Sequence, residues 1–461
     1  MNREKIMEEN WINQAGARCF PGSRGTFLAN EYGAKGDGTF LNSEAIQRAI
    51  DAAAAAGGGK VTFEPGVYLT GTIRLKDGVH LEIPRGTTIS GSEDPEHYPE
   101  IFTRVGGIEM TTIAPLILIE NCRGVAVTGE GTIDGQGKKW WDLFWNKMLP
   151  EYEAKGLRWC VDYDCHRPKT LGIQSSEDVT VRGVVFYRAA HWTCQVLYSH
   201  HVTVDSIVIC NNIGGDGPST DGVDVDSSEY VRVSNSLISC NDDNFCLKAG
   251  RDADGLRVNR PCRYILIEDC RALCGRGLVT VGSETSGGFD HILVRRCTCR
   301  GTLSGLRFKS TPRRGGVIRD ILFEDIEMDS PRLALEMDLD WFPAYGNCTL
   351  PEEFRDKPHP SHWDTLLAPV IPPERGIPVL KDITYRRIRV RNAEICCEFR
   401  GSDVISPEEI NFEDVQLHGT RGGIISHIKA AKVNGFTLES EEKPLFSQAE
   451  TLEKEIKLLP C

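Results

Sequence analysis

The chain has 461 residues, 40% of them hydrophobic, and a net charge of −13. That apolar content can fill a large core, which excludes a disordered chain. The acidic balance argues against nucleic acid as the main partner. No stretch approaches 18 consecutive apolar residues, so we expect neither a transmembrane helix nor a membrane partner.

The N-terminal stretch MNREKIMEENWINQ is charged and lacks the apolar core of a signal peptide. We therefore predict a cytoplasmic protein, with residues 1–28 as an N-terminal extension and residues 29–461 as one domain. The 17 cysteines are an odd number, which without a secretion signal favours reduced, mostly buried thiols. No pair has the CxxC spacing of a zinc site, so we predict core packing and no metal.

One helix is predicted early in the chain, in NSEAIQRAIDAAAAAGGG. Ser43 is the expected N-cap, and the helix should end at the three glycines 57–59. Helical patterns are scarce elsewhere.

A short strand unit recurs instead. It has two apolar residues separated by one residue of any type, then polar residues, then a second apolar pair. The units begin at Val125, Val179, Val202, Val231, Ile265, Ile292, Ile321, Ile383 and Ile410. Between Val179 and Ile321 they recur every 23 to 34 residues, which indicates a solenoid. A β-sandwich is the alternative, but its turns recur every 8 to 12 residues. We predict an all-β, right-handed parallel β-helix whose N-terminal end is capped by the helix.

Two aromatic-rich insertions are predicted, near residues 136–170 and 338–372, where the unit spacing widens to one or two coils plus extra chain. The first carries Trp140, Trp141, Trp145, Trp159 and Tyr163; the second carries Trp341, Phe342, Tyr345 and Trp363. Such aromatics either stack on sugar rings or pin the loops to the coil, and both readings stay open.

Acidic residues concentrate between two of the repeating units. Asp221 and Asp242 are 21 residues apart, about one coil, so stacked coils would bring them together. Asp243 would point to the opposite face in a regular strand, so it joins them only if the chain bends, which Asn241 and Asn244 favour. Glycoside hydrolysis, calcium binding and a purely structural role are all open for these acids.

Two further sets of charged residues stand out: two acids expected to lie outside the catalytic set, and two cations that could bind a carboxylate. Asp224 and Asp226 alternate with valines and are expected at outward or turn positions outside the catalytic set. Arg307 and Lys309 share one strand face, where they either clamp a carboxylate or form a solvated surface.

Four motifs in chain order now carry a resemblance to a known family. They are Ser-Thr-Asp-Gly (219–222), Asn-Asp-Asp (241–243), Gly-Arg-Gly (275–277) and Arg-Phe-Lys (307–309). This set resembles glycoside hydrolase family 28, the polygalacturonases, over roughly residues 29–436. The resemblance implies a parallel β-helix and an inverting hydrolysis that needs no cofactor.

The resemblance also implies roles for individual residues. Asp242 would be the general acid, while Asp221 and Asp243 would hold and activate the water. Arg307 and Lys309 would bind a uronate carboxylate beside the cleaved bond. For an inverting pair, the carboxyl groups should lie roughly 6.5 to 9.5 Å apart, and about 5 Å between Asp221 and Asp242 would count against inversion.

The remaining positions depart from the family pattern or match it weakly. Ser219 and Asn241 replace an asparagine and a glycine, and Arg276 stands where the family has histidine. Because arginine keeps its proton, Arg276 can act only as a fixed cation, either on the acids or on a second substrate carboxylate. Tyr345 is a weaker candidate for the family's tyrosine near the substrate.

We therefore expect a hydrolase that cleaves α-linked galacturonic acid from pectin-derived oligosaccharides, with exo action if the insertions close one end of the groove. A rhamnogalacturonan or other uronate-containing pectin glycosidase is the runner-up. A calcium-dependent pectate lyase and a non-catalytic sugar-binding solenoid are the alternatives from other classes. The sequence does not indicate an oligomeric state.

Overall fold

The structure is a computed structural model and describes residues 10–22 and 24–459. The chain divides into two compact units, and the division falls between Asp242 and Asp243. Unit 1 comprises residues 1–103, 111–147 and 166–242, and unit 2 comprises residues 104–110, 148–165 and 243–461. The described part of the chain contains no helix that is both long and apolar enough to cross a membrane. The domain limits predicted from the sequence stay a prediction.

The strands are short and numerous in both units. Those of unit 1 are Thr26–Leu28, Gly59–Thr62, Gly66–Thr70, Ile73–Leu75, Val79–Ile83, Thr87–Gly91, Ile117–Glu120, Arg123–Gly129, Thr132–Asp134, Leu171–Gln174, Glu177–Arg182, Val185–Tyr187, Cys194–Leu197, His200–Asp205, Val208–Cys210, Val223–Asp226, Glu229–Ser234 and Leu237–Ser239. Those of unit 2 are Asp243–Lys248, Cys262–Glu268, Arg271–Ala272, Gly277–Val281, Phe289–Arg300, Ser304–Lys309, Val317–Ile318, Ile321–Asp329, Leu333–Asp338, Val379–Arg400, Glu408–Ser426, Ala431–Glu442, Leu445–Ser447 and Lys457–Leu459. Two further strands, Glu100–Val105 and Ile108–Ile113, lie where the chain passes between the units.

The helices are few and mostly short. They are Ser43–Ala55, Lys138–Leu143, Leu149–Ala154, Val161–Asp164, Asp252–Val258, Pro343–Gly346, Ser361–Leu367 and Glu450–Glu455. Short 3-10 turns cover Ile12–Gln14, Ala29–Tyr32, Pro95–His97, Glu352–Phe354 and Pro373–Gly376, and a π-helical turn covers Phe144–Met148.

The coils of unit 1 stack in the register that the repeating units predict. Val125 pairs with Val179, Val179 with Val202, and Val202 with Val231, always between parallel strands. All four side chains are buried, because alternate residues of each strand face the interior of the coil. The wide spacing between Val125 and Val179 is therefore one coil that carries extra chain.

The coils of unit 2 follow the same rule. Ile265, Ile292, Ile321, Ile383 and Ile410 form one column of parallel partners. Ile321 pairs directly with Ile383, so the wide spacing between them is also a single coil with an insertion. The predicted register is thus confirmed within each unit.

A left-handed residue precedes the column residue in coil after coil. In unit 1 these are Asp178, His201 and Tyr230, with φ between +54° and +56°. In unit 2 they are Tyr264, His291, Asp320, Asp382 and Glu409, with φ between +53° and +58°. A non-glycine residue in this conformation is uncommon, and its repetition at one position turns the chain sharply at the same corner of each coil.

The predicted N-terminal helix is present as Ser43–Ala55, but its cap differs from the prediction. Asn42 is the N-cap residue, and Ser43 is the first residue of the helix. The Ser43 hydroxyl instead accepts a hydrogen bond from the Gly71 backbone at 2.8 Å. The helix buries Ala45, Ile46, Ala49, Ile50 and Ala53 and lies against the first strands of unit 1, as expected of a cap.

Aromatic rings stack along the interior of unit 2. Ring centroids of Phe323 and Tyr385 are 5.4 Å apart, those of Tyr385 and Phe412 are 5.4 Å apart, and those of Phe412 and Phe436 are 4.8 Å apart. Phe412 is fully buried and contacts rings on both neighbouring coils, so it couples three successive coils.

Phe412→Ala should lower the stability of unit 2 by about 3 kcal/mol or more, because a buried ring is replaced by a cavity. Urea unfolding followed by intrinsic fluorescence measures the shift in midpoint. Leu445→Ala, at a position 68% exposed in the same unit, is the control and should change the midpoint little. Equal shifts in the two variants would show that the stack does not couple the coils.

Candidate active site

In unit 1, stacking of the coils brings Asp221 and Asp242 together, as the spacing predicts. A carboxylate oxygen of Asp221 lies within 4.8 Å of one from Asp242, a spacing near the roughly 5 Å that counts against an inverting pair. Asp221 is only 3% exposed, whereas Asp242 is half-buried. Of this pair, Asp242 is therefore the better placed to reach a ligand.

The loop before Asp221 is held by polar side chains of its own unit. Asn211 donates to the Thr193 hydroxyl at 2.7 Å and to the Thr220 carbonyl at 3.1 Å. The Asn241 side chain donates to the Gly217 carbonyl at 3.0 Å, which attaches the chain before Asp242 to the same loop. These bonds fix the backbone that carries both acids.

Two other acids of this stretch are covered, which the sequence did not predict. Asp224 and Asp226 lie on the strand Val223–Asp226 and alternate with its valines, so they are not in a turn, yet both are completely buried. Asp224 also has an oxygen within 4.8 Å of Asp221. Their alternation with valines was visible in the sequence, but the covering of this strand face was not.

In unit 2, Asp243 begins the strand Asp243–Lys248 and is held by polar partners. Lys309 Nζ donates to Asp243 Oδ2 at 2.7 Å, and the Thr280 hydroxyl donates to Oδ1 at 2.7 Å. Residues 241 and 242 form a bend just before this strand. Asp243 thus contacts Lys309 rather than pointing inward with Phe245, and the bend that the asparagines favoured is confirmed.

The electrostatics of unit 2 keep Asp243 ionised. Burial raises the pKa of Asp243, but the charges of Lys309 and Arg307 outweigh burial and hold that pKa well below its usual range. Burial lowers the pKa of Lys309, and Asp243 more than restores it, so that pKa is raised. Asp243 is therefore a fixed anion across the ordinary pH range.

The two cations of the predicted clamp are both engaged with carboxylates of the chain. Lys309 is 5% exposed and pairs with Asp243. Arg307 Nε lies 3.0 Å from Glu336 Oε2, and its Nη1 lies 3.7 Å from Asp243 Oδ1. They do share one face, as predicted, but the structure gives them a role in holding Asp243 that the sequence did not reveal.

The other predicted binding residues lie in different surroundings. Arg276 is exposed in the turn before the strand Gly277–Val281. Tyr345 is only 8% exposed, and its hydroxyl lies 3.1 Å from that of Tyr163. These assignments as substrate-binding residues stay predictions.

Arg251, which the sequence prediction did not single out, organises the aromatic chain segments of unit 2. It is fully buried, donates to the Tyr163 hydroxyl at 2.7 Å and to the Tyr345 carbonyl at 2.7 Å, and lies 4.4 Å from the centre of the Tyr345 ring. Its Nε also pairs with Asp252 at 3.3 Å. One cation therefore connects residues 148–165 with the insertion at 338–372.

Most of the insertion aromatics pin their loops. Trp140, Trp141, Trp159, Tyr163, Tyr345 and Trp363 are each less than a tenth exposed. In unit 1, Trp141 donates to the Ala189 carbonyl at 2.9 Å, and in unit 2 the rings of Trp159 and Trp363 pack edge to face at 5.4 Å. Phe342, at 42% exposed, is the large aromatic that these segments leave most open.

Comparison with known proteins places the chain in a family. The model of glycosyl hydrolases family 28 matches residues 103–352, more than half of the chain. A probable polygalacturonase from Vitis vinifera is 26% identical over 80% of this chain and 70% of its own. An exo-poly-alpha-D-galacturonosidase from Dickeya chrysanthemi is 26% identical over 65% of this chain and 54% of its own.

A solved structure supports the same conclusion. The exopolygalacturonase from Thermotoga maritima superposes with a TM-score of 0.76 at 25% identity, covering 93% of this chain and 96% of its own. The chain belongs to glycosyl hydrolases family 28. The family resemblance, the right-handed parallel β-helix and the classification as a glycoside hydrolase are thereby confirmed.

Asp243→Asn should remove stability mainly at neutral pH. A carboxylate whose folded pKa is depressed contributes stability above its unfolded pKa of about 4, and this contribution is lost as pH falls towards the folded value. The variant also leaves Lys309 buried without its anion, at a cost of about 3 kcal/mol. The melting temperatures of variant and wild type should therefore differ by a constant amount above about pH 5, and the difference should begin to shrink below about pH 4, where the unfolded carboxyl becomes protonated.

The control for that experiment is Asp356→Asn, at an exposed position of unit 2. It should melt close to the wild type at every pH. A constant difference between Asp243→Asn and the wild type across the whole pH range would contradict the depressed pKa.

Proposed function

We propose that the protein is an inverting hydrolase that removes α-linked galacturonic acid from the end of pectin-derived oligosaccharides. The observation that carries the proposal is the approach of Asp221 and Asp242, followed in the chain by an Asp243 that Lys309 keeps ionised. An acid beside fixed anions is the equipment that glycoside hydrolysis requires.

The proposed roles follow from burial and charge. Asp242, the more exposed carboxyl, protonates the glycosidic oxygen as the bond to the anomeric carbon breaks. Asp221 and Asp243 orient a water molecule and take its proton as its oxygen bonds to that carbon. Asp243 suits the part of base because Lys309 and Arg307 hold its pKa well below the usual range and so keep it ionised before the reaction.

Recognition of a uronate rests on cations near these acids. Arg307 and Lys309 contribute positive charge, but Glu336 and Asp243 offset much of it. Arg276 is exposed and permanently charged, so we propose that it supplies substrate attraction where other family members use a titratable histidine. The pH profile should then lack a histidine contribution at this position.

Exo action is supported by two observations. Two relatives with matching sequence or structure are named as exo-acting enzymes on galacturonan. In unit 2, Arg251 fastens residues 148–165 and the later insertion into one packed cluster. A rigid cluster of this kind would close a groove more effectively than separate loops.

Cytoplasmic location is also proposed. Thirteen of the sixteen described cysteines are buried in the structure, which suits small packing residues in a reducing compartment. Imported oligosaccharides rather than cell-wall polymer would then be the substrate.

A time-resolved NMR experiment on trigalacturonate tests the proposal. Free galacturonate should appear first as the β-anomer, because inversion of an α-linkage gives a β-hydroxyl. The anomer decides the stereochemistry, because an oxygen of Asp221 and one of Asp242 lie within 4.8 Å, a spacing near the roughly 5 Å that counts against inversion. An α-anomer would refute inversion, and release of mid-length products from polygalacturonate would refute exo action.

Asp242→Asn should lower kcat by about a thousandfold or more while leaving the fold intact, because the leaving oxygen loses its proton donor. Asp216→Asn, an exposed position in the same segment, is the matched control and should keep wild-type activity. Reducing-end release and circular dichroism give the two readouts.

The alternatives predict other results for the same samples. A pectate lyase would yield a UV-absorbing unsaturated product and stop with chelator. A sugar-binding solenoid would bind galacturonides without turnover in the wild type. A rhamnogalacturonan glycosidase would cleave only oligomers that contain rhamnose.

A further inference from the structure

Two neighbouring strands of unit 2 place opposite charges at matching positions. The strand Ser304–Lys309 pairs in register with Leu333–Asp338, so Arg307 is opposite Glu336 and Lys309 is opposite Asp338. Paired strands are about 4.8 Å apart, and these residues lie on the strand face opposite the core residues Leu306 and Phe308. Each such set of outward residues on one strand forms a rung. The rung with two cations, Arg307 and Lys309, is thus followed by a rung with two acids, Glu336 and Asp338.

The acidic rung is held rigidly. The Ser304 hydroxyl donates to Glu336 Oε2, the oxygen that also lies 3.0 Å from Arg307 Nε. Glu336 is only 8% exposed, and Asp338 is half-buried beside it. Glu336 is therefore held in place by two partners, and Asp338 accepts a hydrogen bond from the Asp340 backbone at 3.3 Å.

The next strand along this face carries a neutral pair at the matching positions. On the following strand, Glu398 is opposite Glu336 and Arg400 is opposite Asp338. Arg400 and Glu398 pair with each other at 3.2 Å, so their rung is neutral.

We infer that Glu336 and Asp338 determine specificity by disfavouring a second uronate next to the one beside Arg307 and Lys309. This inference rests on the proposed function. Specificity of this kind arises from repulsion as much as from attraction, and half-buried charges are only partly screened by solvent. The favoured ligand is a short galacturonide, or one whose next residue is an uncharged ester or neutral sugar.

Digalacturonate and trigalacturonate compare a ligand without and with that second uronate, provided that the enzyme releases the sugar at the non-reducing end. The third sugar of the trimer then lies beyond the one beside Arg307 and Lys309. Wild-type kcat/KM should be about tenfold lower for the trimer than for the dimer, which corresponds to about 1.4 kcal/mol. A trimer with a methyl ester on its reducing-end uronate should recover most of that loss.

Glu336→Gln and Asp338→Asn test the residues themselves. Each variant should reduce the trimer penalty, and the double variant should remove most of it. Asp338→Asn is the cleaner variant, because Glu336 also holds Arg307. Glu327→Gln, an exposed acid on the strand Ile321–Asp329, makes the same charge change elsewhere and should leave the penalty unchanged.

An equal dimer-to-trimer ratio in the wild type and both variants would overturn the inference. A loss of activity on dimer and trimer alike in Glu336→Gln, with no change in Asp338→Asn, would do the same by reducing Glu336 to a support for Arg307. Calorimetry with the Asp242→Asn variant measures the difference in affinity between dimer and trimer without turnover. Absence of wild-type cleavage would therefore refute the proposed function separately from this inference.

Discussion

The ion pair between Asp243 and Lys309 is the interaction on which unit 2's part of the site depends. Both side chains are buried, so neither charge could stay there without the other. The pair joins the first residue of one strand to the last residue of another two coils further along.

A ring of further charges makes this environment rigid. Lys248 Nζ lies 3.4 Å from Glu284, and Arg314 pairs with Asp252, in positions where all four side chains are buried. Burial raises the pKa of Glu284, yet Lys248 and Arg314 outweigh it and bring the pKa to about 2. Charges that are already oriented need little reorganisation during a reaction, which is the usual source of electrostatic catalysis.

The sequence predicted the scaffold well because the scaffold is local and periodic. The column from Ile265 to Ile410 follows from apolar spacing, and the bend before Asp243 follows from its asparagines. The partners of Lys309 and Arg307 could not be predicted, because a shared strand face does not indicate which carboxylates on other coils will contact these two cations. Asp224 was misjudged for a related reason: alternation predicts the face of a strand, but not what covers that face.

Burial divides the work among the three acids. Asp243 has two hydrogen-bond donors and is ionised before the reaction, so it is poorly suited to be the general acid, which must carry a proton at the start. Asp221 is almost fully buried, which favours a role in holding water over contact with a leaving group. Asp242 is the most exposed of the three and so the best placed to reach a leaving group. Exposure therefore supports the proposed assignment of Asp242 as the acid, in addition to the motif that first indicated it.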